Sequence, residues 1–144
     1  MLSRLQDFAA RSADLALFAA RLLLAWIFIQ EGVDLATHFS AAAAGMAKLG
    51  ISAPLLVTTI VLQLGAGLAV ALGLLTRYSA AALTLFCLAT ASLFHTNFSS
   101  RNELLHFEKD VAIAGGFLIL MVHGAGAWSM DALLKRWIGV SLPV

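Results

Sequence analysis

Apolar residues run along this chain in four long blocks separated by short polar or glycine-containing stretches. The first block, LALFAARLLLAWIFIQEGVDLA at residues 15–36, carries Arg21, Gln30, Glu31 and Asp34 as its polar interruptions. Twenty-two helical residues cover about 33 Å, enough to cross a bilayer. A charge near the bilayer centre costs roughly 2.5–3.5 kcal/mol even on the lenient insertion scale, so such residues normally face protein or water. The pattern therefore predicts a span whose charges are met by partners elsewhere. Ahead of it, Leu2, Leu5, Phe8 and Ala9 follow the i, i+3, i+4 spacing, with Arg4, Asp7 and Arg11 on the other side. That predicts an interfacial amphipathic start over residues 1–14.

Residues 40–52 are small and interrupted by Gly45 and Gly50, which predicts a link too weak to span. Pro54 suits the first turn of a second helix, over about residues 54–75, where its missing N–H costs nothing. The polar residues of that helix are Thr58, Thr59 and Gln63, and Gly65, Ala69 and Gly73 form a small-residue stripe that admits a close neighbour. Thr76, Arg77 and Tyr78 read as a tight turn into a third span over 79–95, so the second and third helices are expected as antiparallel neighbours. A polar link at 97–108 leads to a fourth span over 109–127, with Ala112 and Gly116 as its small stripe. Trp128 and Trp137 sit at headgroup depth beside Lys135 and Arg136, and residues 133–144 form a tail. The expected architecture is an all-α membrane protein, an up-down bundle of four transmembrane helices over residues 15–132.

Composition agrees with a membrane protein. The chain is 61% hydrophobic and 12% charged, with a mean hydropathy of +0.93. A net charge of +1 supplies no basic face for nucleic acid. Cys87 is the sole cysteine, which excludes an internal disulfide and CxxC thiol chemistry. The first apolar run is too long for a cleaved leader, and Glu31 and Asp34 separate it from the alanines at 41–44. Four spans place both termini on one side. That side carries Arg4, Arg11, Arg77, Lys135 and Arg136 against Lys48, Arg101 and Lys109 on the other, which predicts cytoplasmic termini.

With this topology the outer end of the bundle collects most of the chemistry. Gln30, Glu31 and Asp34 are spaced to share one helical face. His95 and Asn97 close the third helix at the same level, and His106, Glu108, Lys109 and Asp110 open the fourth. Gln63 lies about 14 Å along its helix from Pro54. One expectation is an ion pair of Glu31 or Asp34 with Lys109 that locks the first helix to the fourth. The other is a polar pocket for a small headgroup, lined by Gln30, Glu31, Asp34, Gln63, His95, Lys109 and Asp110. Arg21 is expected to snorkel toward the cytoplasmic interface, with Asp131 either as its partner or at the start of a helix capped by Ser129. The four histidines show no H-x₃-H or HExxH spacing, so no metal site is expected, and no two fall at depths matched for haem. Cys87 reads as a core or lipid-facing residue, and Gly65 and Gly67, inside a span, are no nucleotide fingerprint.

Several segments resemble the DoxX family of small bacterial four-helix membrane proteins: RLLLAWIFIQEG at residues 21–32, LGLLTR at 72–77, His95, FEKDVAIAGG at 107–116 and GAGAWSMD at 124–131. The resemblance covers residues 15–132 and implies a protein of the bacterial cytoplasmic membrane in a quinone-linked or oxidative-stress setting. Three positions depart from the family pattern: Leu35 where a lysine is frequent, Gln63 where a glutamate is usual, and Lys109-Asp110 where the pair is Lys-Asn. An amide at 63 cannot titrate, so either Glu31 and Asp34 take over that charge or this member has lost an activity.

The leading functional expectation is an accessory subunit of a quinone-linked redox system, without a redox centre of its own. In it His95 hydrogen-bonds a quinone oxygen and Glu31 or Asp34 exchanges its proton, which makes Glu31, Asp34 and His95 the candidate catalytic groups. A redox partner protein and self-association belong to the same picture. A small-molecule permeation unit using the intramembrane charges, and a non-enzymatic scaffold whose charges fix helix pairing, are the alternatives.

Overall fold

The computed structural model describes residues 2–139, all of whose regular elements are helical. They are α1 (Leu2–Thr37), α2 (Phe39–Ala47), α3 (Ala53–Leu72), α4 (Thr76–Phe94), α5 (Arg101–His123) and α6 (Met130–Ile138). Three helical stretches are long and apolar enough to cross a membrane: Arg11–Thr37, Ala53–Leu72 and Thr76–Phe94. In α5 the five charged residues Arg101, Glu103, Glu108, Lys109 and Asp110 all fall within the first ten positions. Its apolar part, residues 111–123, is about 20 Å long, short of a 30 Å hydrocarbon core.

The helix limits differ from the pattern-based expectation in four places. α1 continues without a break through residue 14, since no proline or glycine interrupts residues 2–31. The expected link at 40–52 contains α2, whose run of four alanines is strongly helix-forming. The turn after α3 is made by Gly73, Leu74 and Leu75, so Thr76, Arg77 and Tyr78 form the first turn of α4 instead. α5 starts at Arg101, eight residues ahead of the expected span, and absorbs most of the polar link. Residues 140–144 of the expected tail lie outside the described residues.

α1 packs on α3, α3 on α4, α4 most extensively on α5, and α5 returns to α1. Each long helix buries one stripe at helical spacing: Arg21, Ala25, Phe28 and Gly32 on α1; Leu56, Gln63, Gly67 and Val70 on α3; Thr76, Ala80, Leu83, Thr84, Cys87 and Ala91 on α4; Asp110, Ala114, Phe117 and Leu120 on α5. The rings of Phe28, Phe86 and Phe117 meet edge to face at the middle, with centroids 5.4 and 6.3 Å from Phe28. Small residues set the helix spacing. A Cβ on Gly67 would stand 3.2 Å from Ile29, and one on Gly116 would stand 3.1 Å from Leu24. Such close approach supplies the dispersion contact that holds helices together where lipid removes the hydrophobic drive. The outside is apolar instead, with Leu23, Trp26, Val61, Leu85, Leu93 and Ile119 all exposed. Polar side chains are buried within these stripes too: Arg21 on α1, Gln63 on α3, Thr76 and Thr84 on α4, and Asp110 on α5.

Candidate functional site: two polar ends of one core

At the end where α3 turns into α4, Arg21 is completely buried. Its Nη2 donates to the carbonyl of Trp128, and its guanidinium stands 5.5 Å from the Phe18 ring centroid. Snorkelling is therefore the wrong account of Arg21: the carbonyl that accepts from its Nη2 comes from the chain that folds back after α5, while Nε and Nη1 are buried without a hydrogen-bond partner among the described residues. Gly73 makes room, because its left-handed φ of +69° suits glycine and a Cβ there would overlap the guanidinium. Asp131, also buried, accepts from the amides of Leu75 at 2.9 Å and Thr76 at 3.2 Å, while its own N–H donates to Gly73 O at 2.9 Å. It caps α4 from the far end of the sequence and satisfies orphan donors that Leu75, in a left-handed conformation at the N-cap, leaves unmet. Ser129 Oγ accepts from Ala132 N at 3.1 Å and caps α6, as the sequence pattern suggested. Asp14 adds a third tie by accepting from Ala127 N at 2.9 Å. The segments at 21–32, 72–77 and 124–131 thus meet at one junction.

At the opposite end the interior is acidic and imidazole-rich. Asp110 on α5 is buried and accepts the hydroxyl of Thr90 on α4 at 3.0 Å. His95, at the α4 C-cap, places Nδ1 3.0 Å from Glu103 Oε2 and Nε2 3.9 Å from Asp110 Oδ2. A doubly protonated ring points an N–H at each carboxylate, whereas a neutral ring serves only one. His106 stacks on His95 with centroids 5.0 Å apart, and Lys109 Nζ lies 3.7 Å from Asp110 Oδ1. Gln63 extends the buried stripe of α3 one turn beyond Gly67, and its Oε1 is buried without a hydrogen-bond partner among the described residues. Its depth follows from Gly32, whose added Cβ would stand 3.3 Å from Gln63 Cβ. Among the described residues no group of three His, Cys, Asp or Glu side chains is arranged to hold a metal ion.

The residues singled out by the sequence divide into two groups. His95, Lys109 and Asp110 come together, while Gln63 is buried on α3 against Gly32 of α1. Gln30, Glu31 and Asp34 instead line an open groove on the outer face of α1 with Val33 and Thr37. The expected ion pair of Glu31 or Asp34 with Lys109 is not formed: Asp34 pairs with His38 at 3.1 Å, and Lys109 with Asp110. The reason is helical geometry, since Gly32 takes the packed position and its neighbours on the helical wheel are rotated outward. Thr90 and Glu103 carried no expectation from the sequence, and His106 was placed at this level without its stacking partner. Residues 103, 106 and 110 are spaced i, i+3, i+7, a signal visible only once the helix is started at Arg101.

The apolar exterior, the small-residue helix contacts and the buried polar ends define a helical integral membrane protein. The family model for DoxX matches residues 16–96, more than half of the chain, and the protein belongs to the DoxX family. It is 39% identical over 125 residues to the Escherichia coli inner membrane protein YqjF, which covers 86% of this chain and 96% of that protein. It is 32% identical over 132 residues to the Escherichia coli inner membrane protein YphA, which covers 87% of this chain and 94% of that one. No solved structure matches the chain.

Proposed function

We propose that the protein spans the bacterial inner membrane four times, up and down, with both termini in the cytoplasm, and serves as the membrane subunit of a quinone-linked redox system. The inner-membrane relatives and the three apolar helices support the location, and the cation distribution supports the orientation. α5 acts as the fourth span. Its charged first turns are tolerated because Glu103 and Asp110 are turned onto α4 rather than toward lipid.

The functional reading rests on two buried acceptors, the carboxylate of Asp110 and the amide oxygen of Gln63, the second without a hydrogen-bond partner among the described residues. A buried acceptor without a donor costs roughly 1–3 kcal/mol, which a hydroxyl-bearing ligand head would return. A quinol head fits this donor–acceptor set, with Gln63 and Asp110 accepting and Thr90 and His95 able to donate. A bound quinone supplies two-electron chemistry coupled to protons. The chain's part is to orient the head and to move a proton along Asp110, His95 and Glu103, the last of which is partly exposed. Asp110 takes the role first given to Glu31 and Asp34, which stand outside the bundle.

Binding of a short-chain ubiquinol analogue to the protein in lipid nanodiscs tests this. Asp110→Asn, His95→Ala and Gln63→Leu are each expected to weaken binding by about tenfold, the value of one buried hydrogen bond to a charged or orphaned group. Affinity unchanged in all three would overturn the reading.

A further inference from the structure

α6 separates its apolar from its polar positions more sharply than any other helix of the chain. Met130, Leu133 and Trp137 stand at i, i+3 and i+7 on one helical face, and all three are exposed, Trp137 at 83%. Trp128, just ahead of the helix, is exposed as well. The bundle is met on a different side, where Asp131 is buried and its carboxylate accepts from the amides of Leu75 and Thr76. Apart from that tie, α6 packs on the long helices far less than they pack on one another. A helix of nine residues is marginal in water by itself, so α6 calls for a support that the bundle does not supply.

Charge narrows what the support is. Lys135 and Arg136 lie off the apolar face, are exposed, and form no ion pair among the described residues. Arg77, beside the capped Thr76, brings a third cation to this end of the bundle. The carboxylates here, Asp14 and Asp131, are turned onto backbone amides. Leu75 and Tyr78 are exposed in the same first turn of α4, so the apolar exterior of the bundle reaches the level at which α6 begins.

We propose that α6 lies in the plane of the membrane, seated on anionic lipid. Met130, Leu133 and Trp137 enter the boundary between headgroups and acyl chains, and Lys135 and Arg136 extend to lipid phosphates. Exposed tryptophan beside unpaired lysine and arginine, at the rim of an apolar helical bundle, is the composition of a membrane–water interface rather than of a protein-docking face. This seat is independent of the ligand reading of Asp110 and Gln63.

The test is cysteine scanning of α6 in a Cys87→Ala background, in phosphatidylglycerol nanodiscs holding one copy each, where neither a partner protein nor a second copy can cover the helix. A water-soluble maleimide is expected to label Lys135→Cys and Arg136→Cys about tenfold faster than Leu133→Cys and Trp137→Cys, as for a helix seated most of the time. Equal labelling of the two faces, fast or slow, overturns the seat. The lipid class is read at Leu133→Cys. Labelling there is expected to rise severalfold in phosphatidylcholine nanodiscs, and likewise in phosphatidylglycerol once Lys135→Glu and Arg136→Glu are added, two cations near an anionic surface being worth about thirtyfold at most. Rates unchanged by lipid and by both substitutions overturn the anionic lipid. A second measurement keeps the native cysteine. With Trp26→Phe and Trp128→Phe, emission from Trp137 is expected to be quenched by lipid brominated near the headgroup end of its acyl chains and shielded from aqueous iodide. Quenching by iodide and not by brominated lipid overturns the seat.

Discussion

Thr90 on α4 donates its hydroxyl to the buried carboxylate of Asp110 on α5 at 3.0 Å. The two partners are not equivalent. Thr90 Oγ1 also lies 2.9 Å from Cys87 O and can fall back on that acceptor, whereas Asp110 loses a donor outright. Thr90→Val is therefore expected to destabilise by about 1–3 kcal/mol and Asp110→Ala by less than the sum of separate losses. In a double-mutant cycle read by detergent unfolding the coupling should be about 1 kcal/mol, and strict additivity would remove the bond from the account.

Gly73→Ala should be among the most damaging single changes. It combines a left-handed backbone, which costs an alanine about 1 kcal/mol, with overlap on the buried Arg21 guanidinium. A monodisperse protein with an unchanged melting temperature would contradict the junction described above. Adding Arg21→Met should recover part of the loss, since the overlap goes and the backbone strain stays.

Asp131→Ala removes the acceptor for two amides at the start of α4 and should cost about 1–2 kcal/mol, while Asp131→Asn retains much of the cap. Hydrogen exchange reads this locally: protection of the Leu75 and Thr76 amides is expected to fall in the alanine variant and to survive in the asparagine one.

Asp34→Asn is expected to change stability by less than about 1 kcal/mol, because the Asp34–His38 pair is exposed at 67% and 68%. A larger loss in thermal unfolding would mean that the outer face of α1 is covered by something in the membrane.

Gln63→Leu separates a dry interior from a binding one. Replacing an unpartnered amide with an apolar side chain of similar size should leave the ligand-free protein as stable or slightly more so. A melting temperature lowered by several degrees would show that the amide already has a partner.

The membrane character, the existence of the four long helices and the capped start of α6 were legible in the sequence, since length, hydropathy and Ser129 are local signals. The facing of α1 was not. Glu31 and Asp34 are conspicuous in a list of residues, but Gly32 claims the packed position through contact with Leu64, which sequence alone does not reveal. Arg21 was noticed without its partner, because a backbone carbonyl over a hundred residues away carries no sequence mark. Glu103 was hidden by a polar stretch that reads as a loop until Arg101 is seen to begin a helix.

The tie from Arg21 to Trp128, with the cap that Asp131 places on α4, orders events at the ribosome. The carbonyl that accepts from the arginine of α1 is made more than a hundred residues after it. Until residue 128 has emerged, the guanidinium depends on water or on the insertion machinery for company. Emergence of residue 128 is thus when α1 takes its final seat, and chains truncated ahead of that point should be cleared by membrane quality control rather than accumulate.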